Sequence, residues 1–198
     1  MMRKTACLLA ALIAIAGIAG CRVNVDKGSN GENKKVQVDT PFGGVHVNTD
    51  TVTASDLGLP VYPGATQVQN DDNNKSADVH LGFGEWQLRV RVVSYTSPDP
   101  QDKVVAFYKQ ELGRYGQVIT CQDNNPIGTP TQTPEGLTCA DDRKHTNVNM
   151  GGGIQLKAGS KRHQHIVGFE KSKSGQTRFS MVALDLPADG SAATGTSD

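Results

Sequence analysis

Ala77-Asp78-Val79-His80-Leu81-Gly82-Phe83-Gly84-Glu85-Trp86-Gln87-Leu88-Arg89-Val90-Arg91-Val92-Val93-Ser94-Tyr95 is the stretch whose reading decides the fold. Apolar and polar residues alternate on both sides of Gly84-Glu85, the period of a strand with two unlike faces. A two-residue turn with Gly first suits a type II′ hairpin. Folding there sets Phe83 opposite Trp86, Leu81 opposite Leu88 and Val79 opposite Val90, with all six apolar side chains on one face. The other face pairs His80 with Arg89 and Asp78 with Arg91. A slip of one residue would destroy both agreements, so the register is specified. In this reading Trp86 is a core anchor and His80 a solvated neighbour.

Downstream, Ser97-Pro98-Asp99-Pro100-Gln101-Asp102 predicts a helix start, with Asp99 as N-cap, Pro100 in the first turn and Asp102 near the positive end. Val104, Phe107, Tyr108, Leu112 and Tyr115 follow at helical spacing, and Gly113 or Gly116 ends the run. Gln117 to Cys121 reads as a strand, and Thr146 to Lys157 as two short strands around Gly151-Gly152-Gly153. Gln164 to Glu170 and Thr177 to Leu186 form a closing hairpin turned at Ser174-Gly175. Upstream, Val36-Gln37-Val38 and Val45-His46-Val47 flank Gly43-Gly44 and predict a short hairpin, either a separate arm or an edge of the main sheet. The expected fold class is α+β: a twisted antiparallel sheet with one main helix, about 99–113, packed on one face.

The N-terminus has a different character. Arg3 and Lys4 precede an apolar run from Ala6 to Ile18, which ends in Ile18-Ala19-Gly20-Cys21. Thirteen helical residues reach about 20 Å, short of the roughly 30 Å of bilayer hydrocarbon, so the run is read as a signal sequence. Its end resembles the lipobox of bacterial lipoproteins. The resemblance covers residues 1–21 and implies cleavage before Cys21, a diacylglyceryl group on the Cys21 thiol and acylation of the new amino group, often with palmitate. Two or three acyl chains hold a protein durably where one does not. Arg22, rather than Asp, at the second mature position implies the outer membrane, facing the periplasm. Cleavage removes two basic and no acidic side chains, leaving a net charge near −2. So balanced a chain does not suggest a nucleic-acid partner, and none is expected.

The domain plan that follows is a cleaved signal peptide (1–20), a lipidated cysteine with a flexible polar tether (21–35), one α+β domain (36–186) and a disordered tail (187–198). Cys121 and Cys139 remain as an even pair in an exported chain and predict a disulfide. The segment between them is rich in Asn, Pro, Gly and Thr, and a bridge would hold it by about 3 kcal/mol through restriction of the unfolded chain. A redox pair would want Cys-x-x-Cys spacing, which is absent. Leu59-Pro60-Val61-Tyr62-Pro63-Gly64-Ala65, followed by a strand and Phe107-Tyr108-x-x-x-Leu112, is similar to a module of uncharacterised bacterial envelope proteins. The resemblance spans about 57–115 and implies structural roles for the Pro turn and the helix face, with no site carried over.

Motifs for chemistry are sparse. No Gly-x-Ser-x-Gly elbow, calcium loop or phosphate loop occurs. Asp71-Asp72 and Asp141-Asp142 read as solvated loop charges. Lys161-Arg162-His163-Gln164-His165 is the densest polar cluster. His163 and His165 would share a strand face and are candidate metal ligands, while Lys161 and Arg162, with Lys157, are candidates for contact with an anionic surface. A solvated strand entrance is the simpler alternative. The expectation is a membrane-anchored envelope lipoprotein with a non-enzymatic binding or structural role and no cofactor, meeting membrane lipid through Cys21 and an envelope protein or glycan beyond it. A hydrolase of envelope material, drawing on His80, Asp78 and His145, and a metal-binding module at His163 and His165 are the alternatives.

Overall fold

Alternation governs most of the chain, and the computed structural model is accordingly a sheet. It describes residues 21–27, 33–68, 76–140, 153–170 and 175–187. The strands are β1 (Arg22–Lys27), β2 (Asn33–Thr40), β3 (Gly43–Thr49), β4 (Thr66–Gln67), β5 (Ser76–Phe83), β6 (Trp86–Ser97), β7 (Ile119–Gln122), β8 (Asn125–Pro126), β9 (Ile154–Gly159), β10 (His163–Phe169) and β11 (Thr177–Asp185). They form one antiparallel sheet in the order β1-β2-β3-β5-β6-β11-β10-β9-β7-β8, with β4 paired to the C-terminal end of β6. Among the described residues the one α-helix, α1, spans Gln101–Leu112.

Strands occupy 52% of the described residues and helical turns 14%. This overturns the expected α+β class with a main helix at 99–113: the fold is β-rich, with one short helix covering part of one face. Asp99 does not cap that helix. Pro100 stands at the N-cap, and the Asp99 carboxylate instead accepts the Tyr62 hydroxyl at 2.8 Å.

The β5–β6 hairpin has the register its alternation predicts, with Phe83 opposite Trp86, Leu81 opposite Leu88 and Val79 opposite Val90. Gly84 takes φ +58°, the conformation a II′ turn needs first and an L-residue disfavours. The N-terminal hairpin also forms, but its turn is Pro41-Phe42, with Gly43 and Gly44 already in β3. The Thr40 hydroxyl closes that turn, accepting from Gly43 N–H at 3.1 Å and donating to the Gly43 carbonyl at 2.8 Å. β3 then pairs with β5, so 36–50 belongs to the main sheet. Arg22–Lys27, read from sequence as part of a tether, is paired along β2 as an edge strand. Of the two short strands expected over 146–157, the second is β9 and the first falls outside the described residues, as does the tail beyond 187.

The core sits where α1 crosses the second half of the sheet. Val104, Tyr108 and Leu112 of α1 pack with Val93 and Tyr95 of β6, Phe179 and Met181 of β11, Val167 and Phe169 of β10 and Leu156 of β9. Phe179 is the hub, with ring centroids 5.3 Å from Tyr108, 5.9 Å from Tyr95 and 6.0 Å from Phe169. The Pro60–Pro63 turn clasps the helix: Tyr62 N–H donates to the Tyr108 hydroxyl at 3.1 Å, and that hydroxyl donates to the Pro60 carbonyl at 3.2 Å. Burial pushes the Tyr108 phenol far above its ordinary range. On the opposite face Cys121 and Cys139 are bonded, with Cα atoms 5.6 Å apart. They cluster with Ile119, and Leu137, Ile166, Val182 and Leu184 are also buried. The loop between the cysteines, expected to lack burial of its own, thus contributes Leu137 to the interior.

Candidate functional surface

The other half of the sheet, β1, β2, β3, β5 and the first half of β6, forms an arm that α1 does not reach. The register fixes what each face carries. Val23 lies opposite Val38 and Val25 opposite Val36. Val38 lies opposite Val45 and Val36 opposite Val47. Those residues continue into Leu81 and Val79, and then into Leu88 and Val90. One face of the arm is therefore apolar from edge to edge, and it runs on into Val182 and Leu184 of β11.

The reverse face is polar. Gln37, His46, His80, Arg89, Asp185 and His163 follow one another as cross-strand partners over six strands. Ion pairs tie the row together. Asp78 holds Arg89 through two hydrogen bonds, at 3.0 and 2.6 Å. His46 Nε2 meets Asp39 at 2.9 Å, and that bond, with one from Gln37, lowers the Asp39 carboxyl below its usual range. Asp185 receives Arg91 at 3.3 Å and His163 Nδ1 at 2.9 Å. His165 stacks on Tyr115 with ring centroids 3.6 Å apart, while the Tyr115 hydroxyl donates to the Gly58 carbonyl at 2.6 Å. Burial, and next the nearby Arg91 charge, push the His165 imidazole below its ordinary pKa.

The candidates from sequence are dispersed by this geometry. His163 and His165 do share a face, yet one is engaged by Asp185 and the other by Tyr115. Among the described residues no group of three or more His, Cys, Asp or Glu is arranged to hold a metal ion. Asp78 and His80 also share a face, with Asp78 committed to Arg89, and His145 lies outside the described residues. The Ser94–Ser180 hydroxyl pair, 2.8 Å apart, belongs to the opposite face. Lys161 and Arg162 stand in the exposed β9–β10 turn, where the Lys161 carbonyl accepts from Gln164 at 3.0 Å. Lys157 cannot join them in an exposed patch, since it is 1% exposed and its register partners are Ile166 and Ile119.

Trp86 corrects a further expectation. It lies outside the core, half-exposed beside Phe83, whose ring centroid is 5.9 Å away. Phe83 is 40% exposed, Phe42 85% and Val23 62%. Cys21, also exposed, immediately precedes β1. Arg22 pairs with Asp39, so Cys21 lies at the level of Thr40 and the Pro41-Phe42 turn. That turn adjoins the β5–β6 turn, because Gly43 packs so closely on Gly82 and Phe83 that a Cβ would not fit. Cys21, Phe42, Phe83 and Trp86 therefore share one end of the arm. His46, Asp39 and Asp185 were not singled out from sequence as partners, and alternation within single strands carries no signal for pairings between distant ones. Among the described residues no helix is long and apolar enough to cross a membrane.

No family model matches the chain, and neither a curated protein nor a solved structure matches it significantly.

Proposed function

We propose that this chain is an envelope lipoprotein, anchored through acylated Cys21 in the outer membrane and facing the periplasm, whose domain has a binding or structural role rather than an enzymatic one. The observation that carries the reading is the two-faced arm whose first strand follows Cys21 directly. An uncovered apolar face of this extent marks a contact surface more often than a reaction site. The carboxylates of its polar face support the same reading. Asp39, Asp78 and Asp185 each hold a cation or a histidine across strands, an arrangement that fixes register. The Leu59–Ala65 segment serves the helix through Tyr62 and Tyr108, a structural role.

Intact mass spectrometry of the protein from its native membrane tests the anchor. The expected mass begins at Cys21, carries two or three acyl chains and gains two hydrogens on reduction of the Cys121–Cys139 bridge. A chain that retains residues 1–20 and carries no lipid would overturn the reading.

A further inference from the structure

The apolar side chains of the arm are not equally exposed. Exposure rises toward the end that holds Cys21: Val23 is 62% exposed against 41% for Val25, and Phe83 is 40% exposed where Leu81 is half-buried. Phe42, on the adjoining turn, is 85% exposed. A second copy of the chain stacked on this face would cover the centre of the sheet, where Val36, Val45, Val47 and Val79 are already half-buried. Within the arm, the most water-exposed apolar groups lie instead at the tip and along β1, within about 20 Å of Cys21 across five strands spaced about 4.8 Å apart. Trp settles at the level of the headgroups, and Trp, Phe and Leu on the apolar face of a surface-bound element enter the headgroup–acyl boundary.

We propose that the arm seats its tip (Phe42, Phe83 and Trp86), with Val23 and Val25 beside it, against the headgroup–acyl boundary of the bilayer that holds the Cys21 anchor. The proposal rests on Cys21 being acylated. Cys21, Val23 and Val25 alternate onto one strand face, so the anchor and the apolar face turn toward the same lipid, while the polar row turns toward water. Acyl chains and apolar side chains then act as joint attachments, and the domain lies against the bilayer in one orientation instead of swinging on its anchor.

Trp86 is the only tryptophan in the chain, so its emission reports this tip alone. The acylated protein is reconstituted in phosphatidylethanolamine–phosphatidylglycerol vesicles, with bromine carried on the acyl carbons nearest the headgroup, and the acylation of each preparation is checked by mass. The expected result is a blue-shifted emission relative to the Cys21→Ser chain in water, quenched by the brominated lipid and quenched less in Phe42→Ser. Phe42 is exposed on a turn, so this variant leaves the fold intact. An acylated protein whose Trp86 is insensitive to bromine refutes the seating and leaves the anchor standing. A blue shift without quenching, together with cross-links between copies, assigns the face to a second copy and also refutes it. A Cys21 without lipid removes the anchor and the seating together.

Discussion

The two halves of this sheet are built from the same alternation and have different fates. In the half made of the end of β6 with β11, β10 and β9, one face is sealed by α1 and by the Pro60–Pro63 turn, and the other buries Ile166, Val182 and Leu184. In the arm, the same register carries an equally continuous apolar face that remains half-exposed to water along its length. Sheet pairing is thus common to both, and cover is what distinguishes them. A strand pair held by backbone bonds and half-exposed side chains draws little stability from its own faces, so the arm depends on its neighbours for rigidity and keeps a surface free for contact. Its outer edge, β1, carries Arg22, Asp26 and Lys27, charges that discourage another strand from adding there.

The contrast can be broken most sharply by equal insults to the two halves. Phe179→Ala empties the hub under α1 and is expected to cost about 3–5 kcal/mol, whereas Leu81→Ala in the arm is expected to cost about 1 kcal/mol. Urea unfolding of the Cys21→Ser chain measures both, and equal losses would abolish the distinction. A smaller effect, about 3 kcal/mol, is expected when Cys121 and Cys139 are both replaced by Ser, and it should appear in the covered half alone. Backbone chemical shifts of the double variant would change in β7, β9 and β10 and stay fixed in β2 and β3.

The smallest effect is in pH. The His165 imidazole has its pKa lowered in the folded state, so the unfolded chain binds the proton more readily. Stability then falls as pH drops from the ordinary histidine value of 6.5 toward the lower folded value, and it is unaffected by this group above 6.5. Replacing His165 with Phe should flatten that part of the profile. The carboxyls of Asp39 and of Asp56, the latter held low by hydrogen bonds from the Thr53 hydroxyl and N–H, act in a separate window, their contribution being lost as pH falls below the ordinary 3.8. A profile through pH 6 that His165→Phe leaves unchanged would remove this residue as its source.

How far the sequence speaks follows the same division. The register of β5–β6, the β10–β11 hairpin, the buried helix stripe Val104, Tyr108 and Leu112, and the Cys121–Cys139 bridge were all legible, because each rests on local period or on spacing. The fold class was not. α1 has a full apolar stripe, which suggested a helix layer, but a stripe does not say how much of a sheet it covers. β1 was hidden by composition: Arg22-Val23-Asn24-Val25-Asp26-Lys27 alternates, yet its charges and the Gly and Asn beyond it read as a tether. Trp86 was misplaced for a related reason, since alternation assigns a residue to an apolar face without saying whether anything covers that face. The polar row required pairing between strands far apart in sequence, such as Arg89 with Asp185 and Asp185 with His163.

One half of the sheet is completed by its own chain; the arm, on the reading proposed above, is completed at the membrane surface. Hydrogen exchange read by mass spectrometry tests this contrast most directly, comparing the acylated protein on vesicles with the Cys21→Ser chain in solution. In solution, amides of β2, β3 and β5 are expected to exchange much faster than those of β10 and β11. On vesicles the arm should slow while β10 and β11 stay unchanged. Equal exchange in the two halves, or an arm that is no slower on the membrane, would contradict the account.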